Sequence, residues 1–171
     1  MSEIAVDFLL GAGLSSRLIA WYGNGYGGYS HAAGVLADNK RYIDAHAAVI
    51  DGVPKGVRVR YIDTERCVKR VRSAIRCSLT EHETWEQALR FLVGDPYGDA
   101  DIWAFITGRQ EQSPGRHSQG HWICSAAQLH ALRKLGYIKK LSVPDHQVTP
   151  NSLLLMMEAV GFKTHDMPPI T

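Results

Sequence analysis

The 171-residue chain has no apolar run near the length of about 20 residues that a membrane span needs. The longest run near its start, Ile4 to Leu10, is broken by Asp7. The opening Met-Ser-Glu-Ile has no basic stretch of the kind that leads a signal peptide. The reading is therefore a cytoplasmic protein, or a virion-associated one if phage-encoded. Cysteine is scarce: Cys67, Cys77 and Cys124 make an odd set, a poor disulfide framework that leaves at least one thiol free. Charge of one sign is lacking too, since the net charge is +2, which argues against nucleic acid as a partner. No repeat or low-complexity stretch appears. With 45% hydrophobic and 21% charged residues, the chain reads as one globular domain over residues 1–171.

Charge is nevertheless uneven. Lys55 to Arg76 holds eight basic and two acidic residues. Two readings compete there: a solvated strand face, or a site for an anionic substrate or polymer.

Strand patterns fill the first half: Ile4 to Leu10, Ser30 to Ala37, Arg41 to Val49, the alternating Val57-Arg-Val-Arg-Tyr61, and a run within Val68 to Leu79. A short helix with Leu14, Leu18 and Ile19 on one face follows the first, and Gly23 to Tyr29 reads as a loop. The period then changes. Thr80 and Glu83 have the spacing of a capping box ahead of Trp85, Ala88, Leu89 and Leu92. A short helix is expected around Ile102 to Ile106. Cys124 to Leu135 reads as a helix closed by Gly136, and Thr149-Pro150 opens a last helix, Asn151 to Val160. Strands first and helices after predict an α+β fold with an antiparallel sheet or small barrel packed against helices.

Cys124 is the strongest candidate nucleophile. It stands at the predicted first turn of a helix, where unpaired N–H groups and the helix dipole favour a thiolate. Ala127 and Ala131 on the same helix are small enough to let it lie close to a sheet. Cys67 and Cys77 lie within strand patterns. A thiol hydrolase also needs an imidazole. His31 opens a strand after a glycine-rich loop, and Asp44 and His46 lie on the next strand. If the hairpin loop holds an even number of residues, His31, Asp44 and His46 share one face. Either Asp44 or His46 could then orient the His31 ring. A rival cluster, His117, His121, Cys124 and His130, has spacing loosely compatible with zinc. At about 100° per residue, however, Cys124 and His130 point to different sides of their helix, so neither a metal nor a cofactor is expected.

Tyr29-Ser30-His31-Ala-Ala-Gly-Val-Leu, then Tyr42-Ile43-Asp44-Ala45-His46 and Gly56-Val57-Arg58-Val59, resembles the first half of circularly permuted NlpC/P60 proteins, papain-like thiol hydrolases that include the YiiX-like group. Phe91-Leu-Val-Gly-Asp-Pro-Tyr97-Gly-Asp99, Trp122-Ile-Cys124-Ser125 and Thr149-Pro150-Asn-Ser-Leu153 are similar to that group's later segments, in the permuted order with histidine before cysteine. The resemblance covers roughly residues 4 to 160. It implies Cys124 as nucleophile, His31 as general base and Asp44 as the orienting third member, with His46 as the alternative. Tyr29, Trp122 and the loop Gly23 to Tyr29 would be cleft walls.

The expected function is a cysteine hydrolase that cleaves an amide or ester bond through an acyl-enzyme. Its substrate would be a small peptide, a peptidoglycan fragment or an acyl compound. The alternatives are a non-catalytic binding or structural module on the same fold, such as a phage particle component, and a lipid or thioester acyltransferase.

Overall fold

A computed structural model describes residues 2–21, 28–49, 52–106, 120–138 and 143–171. Six strands form one open antiparallel sheet in the order β4-β3-β2-β1-β5-β6. They are β1 Ser2–Gly11, β2 His31–Val35, β3 Arg41–His46, β4 Gly56–Tyr61, β5 Cys67–Cys77 and β6 Lys163–Met167. The helices are α1 Leu14–Ala20, α2 Leu79–Arg90, α3 Asp99–Ile106, α4 Cys124–Leu135 and α5 Pro150–Ala159. The class is therefore α+β, with an open sheet rather than a barrel.

The central strand β1 pairs with β2 on one side and β5 on the other. Its alternation decides the two faces of the sheet. Ile4, Val6 and Phe8 point into the main core with Ala32, Ile43, Ala45, Val57 and Val71. That face packs on α2 and α4 through Trp85, Leu89, Leu129 and Leu132. Full burial of each leucine is worth roughly 1.5–3 kcal/mol. Gly34 of β2 has to be a glycine for this packing. A Cβ there would come within 2.8 Å of Gln128 Oε1 and within 3.0 Å of atoms of Leu89 and Trp85. Gln128 Nε2 in turn donates to the Ile43 carbonyl at 2.9 Å. Together with Ala127 and Ala131, these contacts fix α4, and with it Cys124, over β2 and β3.

The opposite face carries the odd residues of β1 and their cross-strand neighbours. Ala5, Leu9, Ala33, Val35, Tyr42, Cys67 and Ala74 form a second, smaller apolar cluster, joined by Ile62 and Ile170. Asp7 sits among them with no exposed surface. Its Oδ2 accepts from the Tyr42 hydroxyl at 2.6 Å and from Arg70 Nη2 at 2.6 Å, while Oδ1 accepts from Arg72 Nε at 2.7 Å. Arg58 is also buried and donates to the carbonyls of Ala48, Val53 and Pro54.

Neither expectation for Lys55 to Arg76 therefore describes its core. Arg58, Arg60 and Arg70 are buried on internal acceptors and carboxylates, not on a solvated face or at an open anion site. Alternation along β4 was legible, but the layer over its arginine side was not. That layer comes from the turn at Ile62–Thr64 and from Ile170, which bridges Cys67.

Other boundaries moved. The capping box of α2 is Ser78 with Glu81, two residues before the expected pair, because Leu79 already has helical geometry. Strand β3 stops at His46, short of Val49. Helix α3 begins at Asp99, and β6 was not anticipated: its pattern Lys-Thr-His-Asp-Met is that of a mostly exposed edge strand with little apolar signal. Cys124–Leu135 with Gly136 in the left-handed region, φ 89°, and Thr149 capping α5 match the sequence reading.

Asp7→Ala should lower stability by about 3–5 kcal/mol, because it leaves the buried Arg70 and half-buried Arg72 without their carboxylate. Urea denaturation of this variant beside the exposed control Glu3→Ala tests this. A loss below about 1 kcal/mol would show that the carboxylate does not hold this face together.

Candidate functional site

Three chain ends meet at one end of the sheet: His31 at the start of β2, His46 at the end of β3, and Cys124 at the start of α4. The β2–β3 connection holds four residues, since Leu36 N–H donates to the Arg41 carbonyl. With Gly34 opposite Ile43 and Val35 opposite Tyr42, this even register puts His31, Asp44 and His46 on one face and makes His46 the direct neighbour of His31. The two rings stand edge to face with centroids 5.3 Å apart. The close polar contact is nevertheless to the diagonal residue: His31 Nε2 lies 2.6 Å from Asp44 Oδ2. Both expected partners are thus at the ring, the histidine packed against it and the carboxylate bonded to it.

Asp44 has no exposed surface. Burial alone would raise its carboxyl. The Arg60 guanidinium first, and then the His31 ring, reverse that and hold it well below the ordinary carboxylate range. Arg60 grips it as a fork, with Nη2 at 2.6 Å from Oδ2 and Nε at 3.2 Å from Oδ1. For His31, burial works against the charged ring. The Cys124 sulfur beside it is the strongest opposing influence, followed by the charge and hydrogen bond of Asp44, and together they push the imidazole up to about 10. The sulfur acts on the ring electrostatically. Since Nε2 is engaged by Asp44, Nδ1 is the nitrogen left for Cys124.

Cys124 is only 2% exposed. The cleft beside it, about 430 Å³, is lined by His31 and Tyr97, both of which feel its sulfur. The remaining walls include His46, Ala48 and Glu65 on one side and Leu18, Ile19, Ile102 and Trp103 of α1 and α3 on the other. Tyr97 is brought there by a short parallel bridge to Trp122, with Gly98 N–H donating to the Trp122 carbonyl at 2.9 Å. Burial, then the Cys124 charge, pushes its hydroxyl well above the usual phenol range, so it stays a donor.

The two expected wall residues lie elsewhere. Tyr29 packs its ring on Phe8, with Lys69 Nζ 4.8 Å above it, and is not part of this cleft. Trp122 lines a separate hollow of about 590 Å³ with His130 and Lys134, and its indole N–H donates to Asp95. Residues 23–27 of the loop Gly23 to Tyr29 fall outside the described residues, as does His117 of the rival zinc cluster. Of that cluster's remaining members, His121 approaches the Tyr97 carbonyl and His130 packs on Trp122, so neither joins Cys124. Sequence reading missed Arg60, Glu65 and Tyr97. Arg60 carried a signal as the outward residue of an alternating strand, but Glu65 stands in a turn whose position over the sheet only the fold defines.

Among the described residues, His31, His46 and Glu65 are close enough to suggest a cation site, their ligand atoms lying within 4.8 Å of one another. The donor set does not fit one. Arg60 Nη2 already lies 2.6 Å from Glu65 Oε2. The Ala48 N–H donates to His46 Nδ1 at 3.1 Å, which leaves the proton of a neutral ring on Nε2, facing Glu65 at 3.4 Å. The group is a set of ion pairs organised around Arg60, which donates to Asp44 and pairs with Glu65.

The pair His31–Asp44 should shape stability against pH. Asp44, whose carboxyl is lowered from 3.8, contributes stability that is present above about pH 4 and lost as pH falls below it. His31, raised from 6.5 to about 10, contributes stability that is complete below pH 6.5 and lost as pH rises through about 10. Urea midpoints measured across pH should therefore fall on both sides, and Asp44→Asn should flatten the acid side. An unchanged acid limb in that variant would remove Asp44 from this role.

Searches of the sequence against models of known protein families and against curated proteins find no match to either.

Proposed function

We propose that this chain is a cysteine hydrolase acting on an amide or ester bond, on a papain-like domain of the permuted NlpC/P60 type. One observation carries the reading. A buried carboxylate holds one nitrogen of an imidazole at 2.6 Å, while a cysteine sulfur at a helix start is the strongest influence keeping that imidazole charged. A cleft of about 430 Å³ opens on the imidazole. The other two thiols, buried Cys67 and half-buried Cys77, are instead pushed up, by burial first and then by nearby acids.

The steps follow from these groups. The Cys124 sulfur attacks the substrate carbonyl carbon, and its electron pair forms the C–S bond as the carbonyl oxygen takes the negative charge. The Cys124 backbone N–H, at the first helical position, has no intrahelical partner and is a donor for that oxyanion. Collapse expels the amine or alcohol, which takes the proton from His31. Acylation removes the sulfur's charge, and with it the strongest influence that kept His31 protonated. The neutral ring can then take a proton from water, whose oxygen attacks the thioester. Breaking the C–S bond releases the acid and restores sulfur and imidazolium. Asp44 fixes the ring's direction throughout and stays ionised. The substrate class is a small peptide, a peptidoglycan fragment or an acyl compound. The apolar wall of Leu18, Ile19, Ile102 and Trp103 favours a substrate with an apolar group next to the scissile bond.

Cys124→Ala should abolish turnover of whichever chromogenic peptide anilide or acyl ester wild type cleaves, while leaving the unfolding free energy from urea denaturation within about 1 kcal/mol of the wild-type value. A mass increase of one acyl group on the Cys124 peptide should appear early in the reaction. Full turnover by the alanine variant would sink the mechanism.

A further inference from the structure

Around the His31 ring stand the carboxylates of Asp44 and Glu65 and the imidazole of His46, and the reaction above uses only Asp44 beside His31. His46 and Glu65 are left over, close enough to compete: the ligand atoms of His31, His46 and Glu65 lie within 4.8 Å of one another. An imidazole facing two acids has no single direction unless something divides the acids between the rings. Among the described residues, Arg60 pairs with both. Arg60 Nη2 lies 2.6 Å from Asp44 Oδ2 and 2.6 Å from Glu65 Oε2, and 3.5 Å from His31 Nε2. Asp44 Oδ2 thus receives His31 and Arg60 at the same oxygen, each at 2.6 Å. Two donors converging on one oxygen define where the carboxylate points.

We infer that Arg60 is the positioning residue of this site: its fork assigns Asp44 to His31 and holds Glu65 on the His46 side. This rests on the thiol-hydrolase reading above. Three further observations support it.

Arg60 reaches its partner diagonally. The strand register puts Arg58 directly opposite Asp44 and Arg60 opposite Tyr42. The nearer guanidinium is spent on the backbone of residues 48–54, and the farther one is delivered to Asp44. The route is built, too. Arg60 lies over the Tyr42 ring at 5.1 Å from its centre, and the Tyr42 hydroxyl is anchored on Asp7, which Arg70 and Arg72 hold in turn. That chain spans four strands and gives the guanidinium a rigid floor. Finally, stability alone does not account for it. A buried ion pair of this kind roughly breaks even against an apolar substitute, and the same sheet face packs Ala5, Leu9, Ala33 and Val35 a few residues away. Arg60 Nη1 is even buried without a hydrogen-bond partner.

The charged and titratable groups around Asp44 and His31 are Arg60, Glu65, His46, Tyr42, Tyr97 and Cys124. Of these, Arg60 acts most strongly on Asp44, so its loss should show in a pH profile and not only in a rate.

The test uses the full chain and iodoacetamide, with alkylation of each cysteine read by peptide mass from pH 4 to 9. In wild type, Cys124 should react at pH 6 at least tenfold faster than in His31→Ala. Arg60→Met should move the acid limb of the Cys124 profile up by about one pH unit or more and leave Cys67 and Cys77 unchanged. Arg60→Lys keeps the charge but not the fork. It should fold if the methionine variant does not, and should show a smaller shift in the same direction. The double variant His31→Ala/Arg60→Met should match His31→Ala alone, since Arg60 acts only through that ring. Two results would overturn the inference alone: an Arg60 profile superimposable on wild type while His31→Ala still slows Cys124, or additive losses in the double variant. If His31→Ala leaves Cys124 unaffected in the first place, the hydrolase reading fails and the inference falls with it.

Discussion

A carboxylate without exposed surface is the constraint on which this site depends. Asp44 cannot remain ionised inside the protein unless cations surround it. It therefore dictates that the guanidinium of Arg60 and the ring of His31 be where they are. Those two must arrive from different strands, and only one hairpin register delivers them. An even β2–β3 loop puts His31 and Asp44 on the same face, and the β3–β4 ladder puts Arg60 one diagonal step away. A slip of one residue between β3 and β4 would turn Arg60 away from Asp44, and a slip between β2 and β3 would turn Asp44 into the apolar core against α4. The apolar pattern of the other face guards against that slip, since Ile43 and Ala45 would be turned out of the core at the same time.

Much of this was legible in the sequence, and the boundary of what was legible has a physical cause. Parity along a strand is local information, so the shared face of residues 31, 44 and 46 could be read from the hairpin alone. The start of α4 at Cys124 and its glycine stop are also local, since caps act within one turn. Two cleft walls were misplaced for the opposite reason. Tyr29 and Trp122 are near the candidate dyad in sequence, but which way an aromatic ring turns is decided by what covers it. Tyr29 found Phe8 and Lys69, while Trp122 found Asp95 and His130. The apolar wall comes instead from α1 and α3, whose residues carried no sign of meeting each other. The basic stretch Lys55 to Arg76 shows the same limit. Composition gave its charge, but not that its arginines would meet Asp7, Asp44 and the backbone of residues 48–54.

The sheet separates its two tasks by face. One face is an ordinary apolar surface on which α2 and α4 pack, and its close tolerances at Gly34 fix α4 to the strands. The other carries a seam of charges from Arg70 and Arg72 through Asp7, Tyr42 and Arg60 to Asp44. Cys124 belongs to the first face and His31 to the second, and they meet only where β2 begins and the sheet ends. Position at the site is thus set twice, by packing for the sulfur and by ion pairs for the ring. Packed cores and buried salt bridges both resist small displacements, so the two groups are held in register from opposite sides of the same strands.

On the proposed thiol-hydrolase reading, this division also bears on how the charge state of His31 would change during turnover. Of the influences that keep the ring protonated, the one from Asp44 is permanent, because Arg60 holds that carboxylate ionised whatever happens at the sulfur. The one from Cys124 is removable, because forming a thioester erases its charge. Burial opposes the charged ring at all times and is the largest single effect on it. With the sulfur charged, the balance favours imidazolium, a proton donor suited to a leaving group. With the sulfur acylated, burial faces Asp44 alone, and the balance shifts toward a neutral ring, a proton acceptor suited to water. A fully exposed histidine would feel neither effect strongly, and one without its carboxylate would lack an orientation. On that reading, the depth at which His31 sits, 14% exposed in its side chain, lets the proposed chemistry at Cys124 act on it.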